Sequence, residues 1–508
     1  MIGFENRRGS FESFFNTSLV GLQGELDSQQ VERLKKIRRA WNFYEGYHWE
    51  EMPEVDTPEL TVNYCRAFVN KFVSFELGKA FSFITHPNVE GIKVSPDGRT
   101  LFEYLEDVWE DNNQYAFVQE LGQMKSVTGE AWVQARFFRP DELDDPYGEY
   151  PNGRLRLLLL PTSTVFPEFD PHDRDNLLSV TVMYEYDKRV RTGILGRVSH
   201  KKAVYKQVWT KETCTVIDDG AEPVEYPNKY GVVPFILFRN VTIAGRTEGF
   251  SDLDDIIPLN VELNLKESNV SEILDYHAAP ITIVYGAKVG NLEKGANKMW
   301  GGLAKDARVE NLSLQGDLAA SNSYISNLRS TMCEVGGIPE SVLGGSQAIS
   351  NTSGVALQYI NLPLIEKTRV KRINTEDGFE RLNKLIILIS LLEGLIQKPE
   401  GVENRDFFHT ECSIPDTLPK DELIELQQIQ AEMKIGIESR EGAAKRMGKE
   451  NLEELFTTID EDIKEHPEIY GVNPKQDSPQ INSGMMNGDT TIEQVRKEVT
   501  GSNGFTNE

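Results

Sequence analysis

Apolar residues recur at three- and four-residue spacing after Ser28 (Val31, Leu34, Ile37, Trp41, Tyr44), which predicts an amphipathic helix with Ser28 as its cap. A second helix is expected from Val62 to about Leu77, ending at Gly78. A third is expected from Leu101 to about Val127, after the turn Ser95-Pro-Asp-Gly. From Ala131 to Arg239 the pattern changes to short runs rich in β-branched and aromatic residues, such as Trp132-Val-Gln-Ala-Arg-Phe, Arg154-Leu-Arg-Leu, Val180-Thr-Val-Met-Tyr-Glu-Tyr and Ala203-Val-Tyr-Lys-Gln-Val-Trp. Pro, Gly and Asp clusters separate them, as in an antiparallel sheet.

Helical spacing returns with Leu253, Ile256, Ile257, Leu263, Val270 and Leu274, up to His277, with a bend expected at Pro258. A short β insert follows, from Pro280-Ile-Thr-Ile-Val-Tyr-Gly to Arg308-Val-Glu-Asn-Leu, and then a helix from about Leu318 to Val335. The glycine-rich stretch Gly336–Asn351 reads as a loop, of a length that is usually functional or disordered. A long helical pattern opens at Thr352 or Ser353 and runs to Lys398, with breaks or kinks expected at Pro363 and Gly378 and a strongly amphipathic back half. A short strand is expected at Phe407 to Ser413. Pro419 opens a region with two further helical stripes, and the polar tail from Tyr470 reads as disordered.

The 508 residues allow roughly three modules at about 150 residues each. Eighty acidic against 54 basic side chains give a net charge of −26, which excludes wrapping of nucleic acid by overall charge neutralisation. The start of the chain has no apolar signal segment, and Leu385–Ile396 is too short to span a bilayer. Cys65, Cys214, Cys333 and Cys412 form no CxxC pair and read as buried, reduced thiols of a cytoplasmically folded chain.

Catalytic constellations are sparse. Gly78-Lys79 lacks the remainder of a phosphate loop, and no HExxH, GxSxG or EF-hand loop is present. The seven histidines are separated from one another and from cysteine along the chain, so no local zinc site, and no cofactor, is expected. The aromatic cluster Tyr44-Glu-Gly-Tyr-His-Trp49 is either a ligand platform or core packing. The run Lys367, Arg369, Lys371, Arg372, with Arg381 and Lys384 beyond it, is either a solvated face or a local phosphate contact.

Several local sequences, taken in order, resemble the portal proteins of tailed bacteriophages: Tyr44-Glu-Gly-Tyr-His-Trp; Asn63-Tyr-Cys-Arg-Ala-Phe-Val-Asn-Lys-Phe-Val; Gly78-Lys79-Ala80-Phe81; Val233-Pro-Phe-Ile-Leu-Phe-Arg-Asn240. Further on come Glu248-Gly-Phe-Ser-Asp-Leu-Asp-Asp-Ile-Ile-Pro-Leu-Asn260, Ala278-Ala-Pro-Ile-Thr-Ile-Val-Tyr-Gly286 and Asn351-Thr-Ser-Gly-Val-Ala-Leu357. The resemblance extends to about residue 470. It implies an α+β fold with an α/β wing (1–250 and 353–418), a helical-hairpin stem (251–277 and 318–337), a small β-containing clip (278–317), a tunnel loop (338–352) and a helical crown (419–470), followed by a tail (471–508).

The same resemblance implies a cyclic homo-oligomer of twelve subunits, or thirteen in recombinant rings, around a channel for double-stranded DNA. The expected place is the capsid vertex of the virion, after assembly in the host cytoplasm. Expected partners are the terminase large subunit and then the head–tail adaptor at the clip, and the major capsid and scaffolding proteins. Gly345, Ser346, Gln347, Ala348, Ile349, Ser350 and Asn351 would line the channel. Lys367, Lys371 and Arg372 would be the candidate phosphate contacts, and Lys288, Lys298, Trp300 and Lys305 would serve clip docking. The rival readings are another phage structural protein, such as a minor head protein, or a soluble enzyme or carbohydrate-binding module built on the central sheet.

Overall fold

The computed structural model describes residues 26–52, 59–192, 197–278, 281–285, 308–312, 318–344, 359–415, 422–447 and 452–466. The chain divides into two units, residues 1–419 and 420–508.

In the first unit, α1 (Ser28–Glu45) starts one residue after its cap. Asp27, rather than Ser28, accepts from the Gln30 amide while Gln30 reaches back, a reciprocal capping box. Next come α2 (Tyr64–Leu77), capped by Asn63, and β1 (Ser82–Thr85). The expected third helix is two: α3 (Leu101–Asp111) and α4 (Gln114–Thr128), parted where Asn113 takes a left-handed conformation. Asn tolerates that conformation better than most residues.

The β region forms two sheets rather than one. In the first, β2 (Glu130–Phe138) lies between β3 (Arg154–Leu160) and β9 (Phe235–Arg239). The second is an antiparallel meander of β4 (Val165–Asp170), β5 (Asp173–Thr192), β6 (Arg197–Trp209), β7 (Thr213–Asp218) and β8 (Val224–Pro227). A two-residue pair, β10 (Val241–Thr242) with β11 (Gly249–Phe250), leads into α5 (Ile256–Ala278). Because α5 begins only at Ile256, Pro258 falls in its first turn, where its missing amide costs no helical hydrogen bond and no bend is needed.

Strands β12 (Ile281–Tyr285) and β13 (Arg308–Leu312) pair antiparallel, and α6 (Leu318–Gly336) follows. The break expected at Pro363 is present: Tyr359 and Ile360 are helical, Asn361 turns, and α7 (Leu362–Leu392) starts with Pro363 in its first turn. At Gly378 the helix is not broken. A Cβ there would lie 2.4 Å from the Phe238 ring, so the glycine serves close packing of an unbroken helix. Gly394, in the left-handed region, follows the end of α7. After a one-turn α8 (Asn404–Phe407), β14 (Thr410–Ser413) pairs with β1 across more than 300 residues of chain.

Two apolar clusters hold this unit together. One gathers Phe81, Trp109, Phe117, Phe238 and the back half of α7; Phe81 and Phe379 stack at 4.3 Å, and Trp109 Nε1 donates to Asn383 at 2.9 Å. The other joins α1 and α2 to the bases of α5 and α6. All four cysteines are free and buried, and burial pushes the Cys65 thiol up to about 12. In the second unit, α9 (Glu422–Lys434), α10 (Arg440–Arg446) and α11 (Leu452–Glu465) are linked by Arg440–Asp460 at 3.0 Å and by Arg446 to Glu432 and Glu438.

Candidate functional site: a helical hairpin and its buried root

The pairing of Ile281 with Leu312, through to Tyr285 with Arg308, brings the end of α5 beside the start of α6, so the two helices return antiparallel. Arg329 bonds Glu267, and Lys266 lies over the Tyr324 ring, between the two legs. Among the described residues, the deeply buried apolar side chains of the legs lie towards their base: Leu253, Ile256, Ile257, Leu263, Ile325, Leu328 and Met332 pack against Phe43, Phe68 and Phe72. Leu274, further out on α5, is exposed.

One side of α5 carries a polar stripe, Asn260, Asn264 and Ser268, each four residues from the next and all buried. Residues 59–63, leading into α2, lie along it as a strap. The Leu60 amide donates to Ser268 Oγ (3.1 Å), the Val62 amide to Asn264 Oδ1 (3.0 Å), and the Tyr64 amide to Asn260 Oδ1 (3.1 Å). Asn264 Nδ2 approaches His48 Nδ1 at 2.7 Å, and His48 Nε2 meets the Phe43 carbonyl at 2.8 Å. This pattern assigns a neutral imidazole whose Nε2–H donates, and burial holds the His48 pKa below its usual value. Within the aromatic cluster Tyr44 and His48 are therefore core packing, with Phe43 stacked on His48, while Tyr47 is exposed.

The other fastening is ionic. Gly129, at φ +90°, closes α4 and passes so close to Gly249 that a Cβ on the former would lie 2.5 Å from the latter's carbonyl oxygen. That crossing sets Ser251 and Asp252, just before α5, against the end of α4. The Asp252 amide donates to the Ser126 carbonyl (3.0 Å), and Ser126 Oγ donates to Asp252 Oδ2 (2.6 Å). Lys371 Nζ of α7 sits 2.7 Å from Asp252 Oδ2 and 3.2 Å from Glu76 Oε2. Glu76 also pairs with Lys125, whose ammonium donates to Thr375 Oγ1 at 2.6 Å. Lys367 reaches Asp252 Oδ1 (3.4 Å) and the Gly336 carbonyl at the end of α6 (3.1 Å), its ammonium over the Phe72 ring.

Glu76, Lys125, Asp252 and Lys371 are fully or almost fully buried. Burial alone would raise both carboxyls; the ammoniums of Lys371 and Lys367 outweigh it and hold Asp252 down to about 2, while Lys125 and Lys371 hold Glu76 below its usual range. Burial lowers Lys125 and Lys367, whereas for Lys371 the two facing carboxylates outweigh burial and raise it. The node ties α2, α4, α7 and both legs of the hairpin together.

This placement corrects the expectation of phosphate contacts. Lys371 has no exposed surface and its charge is taken up by two carboxylates. Arg372 is also buried; its guanidinium donates to the Phe75 carbonyl (2.6 Å) and the Glu76 carbonyl (3.3 Å), capping the end of α2. Lys367 is half-buried in the same node. Gly345, Ser346, Gln347, Ala348, Ile349, Ser350 and Asn351 lie outside the described residues, as do Lys288, Lys298, Trp300 and Lys305.

Two histidines distant in sequence meet: the rings of His86 and His409 are 5.8 Å apart, near Asp406 and Glu411. Among the described residues, however, no group of three or more side chains is placed to hold a metal ion. No described helix is long and apolar enough to cross a membrane.

The family model for phage portal proteins of the SPP1 Gp6-like type matches residues 24–467, 444 of the 508. The chain belongs to that portal family. Portal proteins are structural parts of the bacteriophage capsid rather than enzymes, and the mixed helix-and-sheet fold described above agrees with this membership. No curated protein matches the chain as a relative.

Proposed function

We propose that this portal chain forms a ring of about twelve subunits at one capsid vertex, and that duplex DNA passes through its channel during packaging and ejection. The observation that carries this reading is the family match across residues 24–467, which includes the helical hairpin anchored by a buried root. On this reading α5 and α6 are the stem, and the segment between them is the clip that receives the terminase large subunit and then the head–tail adaptor. The β-sheets, with α1–α4 and α7, form the wing toward capsid and scaffolding proteins; α9–α11 form the crown.

The chain's charge suits a conduit. Each neutralised phosphate adds an attractive, salt-dependent contact that translocation must break, so an acidic ring with a small-residue loop at its constriction gives DNA a shallow path. Native mass measurement and negative-stain imaging of the purified chain test the reading. Rings of about twelve or thirteen subunits with a central hole are expected, and a monomer at every concentration, with no ring in capsids, overturns it. Deleting Ser346–Ser350 should impair DNA packaging or retention while rings still form; unimpaired packaging and retention would remove that loop from the channel.

A further inference from the structure

The strap along α5 is fastened mainly by polar contacts. Glu59, Leu60 and Thr61 are exposed, and Val62 is its one side chain packed against the apolar base of the hairpin. What fixes it are the three amide bonds to Ser268, Asn264 and Asn260, and the Val62 carbonyl, which accepts from Asn260 Nδ2 at 2.9 Å. Trp49 Nε1 adds a bond to Thr61 Oγ1 at 3.1 Å. A segment with so little buried apolar surface can open locally while the core beneath it stays closed.

The donors and acceptors of this network have fixed roles. The Phe43 carbonyl only accepts, so His48 Nε2 carries a proton and donates. Asn264 Oδ1 accepts from the Val62 amide and, at 3.3 Å, from Asn260 Nδ2, which leaves the Asn264 amide nitrogen turned to His48 Nδ1. Nδ1 must therefore accept, and the closed strap requires a neutral ring. A second proton, on Nδ1, would point at the Asn264 NH2 group, donor against donor. Turning that amide over would relieve the clash only by setting the NH2 group against the Val62 N–H and Asn260 Nδ2.

The surroundings offer an imidazolium no other partner. His48 has no exposed surface, and among the described residues no carboxylate bonds its ring. On its own turn Glu50 is exposed, while Glu51 accepts from Asn42 of α1 and lies 3.9 Å from Arg38. Glu45, at the end of α1, has Arg66 as its neighbouring charge. Arg66 of α2 donates to the Tyr44 and Glu45 carbonyls, and its charge opposes protonation of His48. On α5, Glu262 pairs with Lys266, and Glu267 with Arg329 of α6.

We infer that residues 59–63 are a proton-released strap: uptake of one proton by His48 detaches them from Asn264 and uncovers the polar stripe of α5. In the open form His48 titrates near its ordinary value of about 6.5, whereas burial holds it lower in the closed form. The open form thus binds more protons, and opening is favoured as pH falls below about 6.5. The ionic node does not follow at pH 5, because Asp252 is held down to about 2. The device depends on neither ring assembly nor DNA.

Hydrogen–deuterium exchange of the full chain at pH 7.5 and 5.0, divided by the intrinsic rate at each pH, tests this. Protection of the Leu60, Val62 and Tyr64 amides should fall about 10–30-fold, the upper figure being that of a histidine titrating at about 6.5 only when open. Amides in the back half of α7 should keep their protection. His48→Gln, which cannot take up the proton, should abolish the pH dependence. Asn264→Asp, which offers carboxylate oxygens to both the Nδ1 proton and the Val62 amide, should keep the strap closed at pH 5.0, and it decides the matter if His48→Gln does not fold. Unchanged protection in wild type, a wild-type loss in either variant, or a loss shared by the whole first unit overturns the inference.

Discussion

From Leu362 to Gly378, α7 buries Leu364, Thr368, Lys371, Arg372, Thr375 and Gly378; from Phe379 to Leu392 it buries Phe379, Leu382, Asn383, Leu385, Ile386, Ile387, Ile389 and Ser390. The inward stripe of the front half continues into the back half, where it widens until most of the helix circumference is buried. Its chemistry changes at Gly378. The back half is held by apolar packing among Phe81, Trp109 and Phe238, with neutral hydrogen bonds from Trp109 to Asn383 and from Tyr104 to Ser390, and the front half by two carboxylates, a guanidinium cap and hydroxyls. Depth of burial thus follows helix geometry, and the fastening follows whatever the facing elements supply. The two fastenings differ in their response to change, because a buried ion pair that loses one member leaves a charge without compensation.

Lys371→Met should give the largest effect, a loss of about 3–5 kcal/mol in urea unfolding, because Asp252 and Glu76 remain buried without it. A loss below about 1 kcal/mol would erase the contrast between the two halves. Leu382→Ala, in the apolar half, should cost about 3 kcal/mol through lost transfer energy and the cavity left behind. Its cost should be the same at pH 7 and pH 4.

Acid should then separate the halves. The Asp252 carboxyl is depressed in the folded chain, so its contribution is complete above the unfolded value near 3.8 and disappears as pH falls towards about 2. Over that window about 2 kcal/mol should be lost in wild type and in Leu382→Ala, and markedly less in Lys371→Met, as followed by urea midpoints across the pH series. The smallest effect is expected on the outward side of the front half. Ile373→Ser, at an exposed position, should change the stability of the unassembled chain by less than about 0.5 kcal/mol.

The back half of α7 was legible in the sequence because apolar residues report their own burial. So were the two legs of the hairpin, its β insert and most strands. The front half was misread for a physical reason: Lys371 and Arg372 resemble a solvated or phosphate-facing run until Glu76, Asp252 and the end of α2 are known to face them. Those partners lie on other elements, and periodicity along one helix does not register them. A faint signal existed in the lone charges Glu76 and Lys125 set within otherwise apolar helix faces, and in the four-residue spacing of Asn260, Asn264 and Ser268. The division between α3 and α4 rests on the left-handed Asn113, and the pairing of β1 with β14 joins distant segments; local pattern reveals neither. The channel and docking residues expected from the resemblance lie outside the described residues, so the sequence remains their only source.

The buried node also imposes an order of events on a chain being synthesised. Glu76 and Lys125 are separated by 49 residues, and both precede Asp252, but Lys371 comes 295 residues after Glu76. At roughly 5–20 residues per second, Lys371 is made roughly 15–60 s after Glu76. During that interval Glu76 and Lys125 have each other, whereas Asp252 has neither Lys371 nor Lys367. Burying its carboxylate without those ammoniums would cost hydration with no compensating charge, so the entry to α5 is expected to stay open until α7 arrives. The hairpin would then be fixed at its base among the last events of folding, after both its legs have been made.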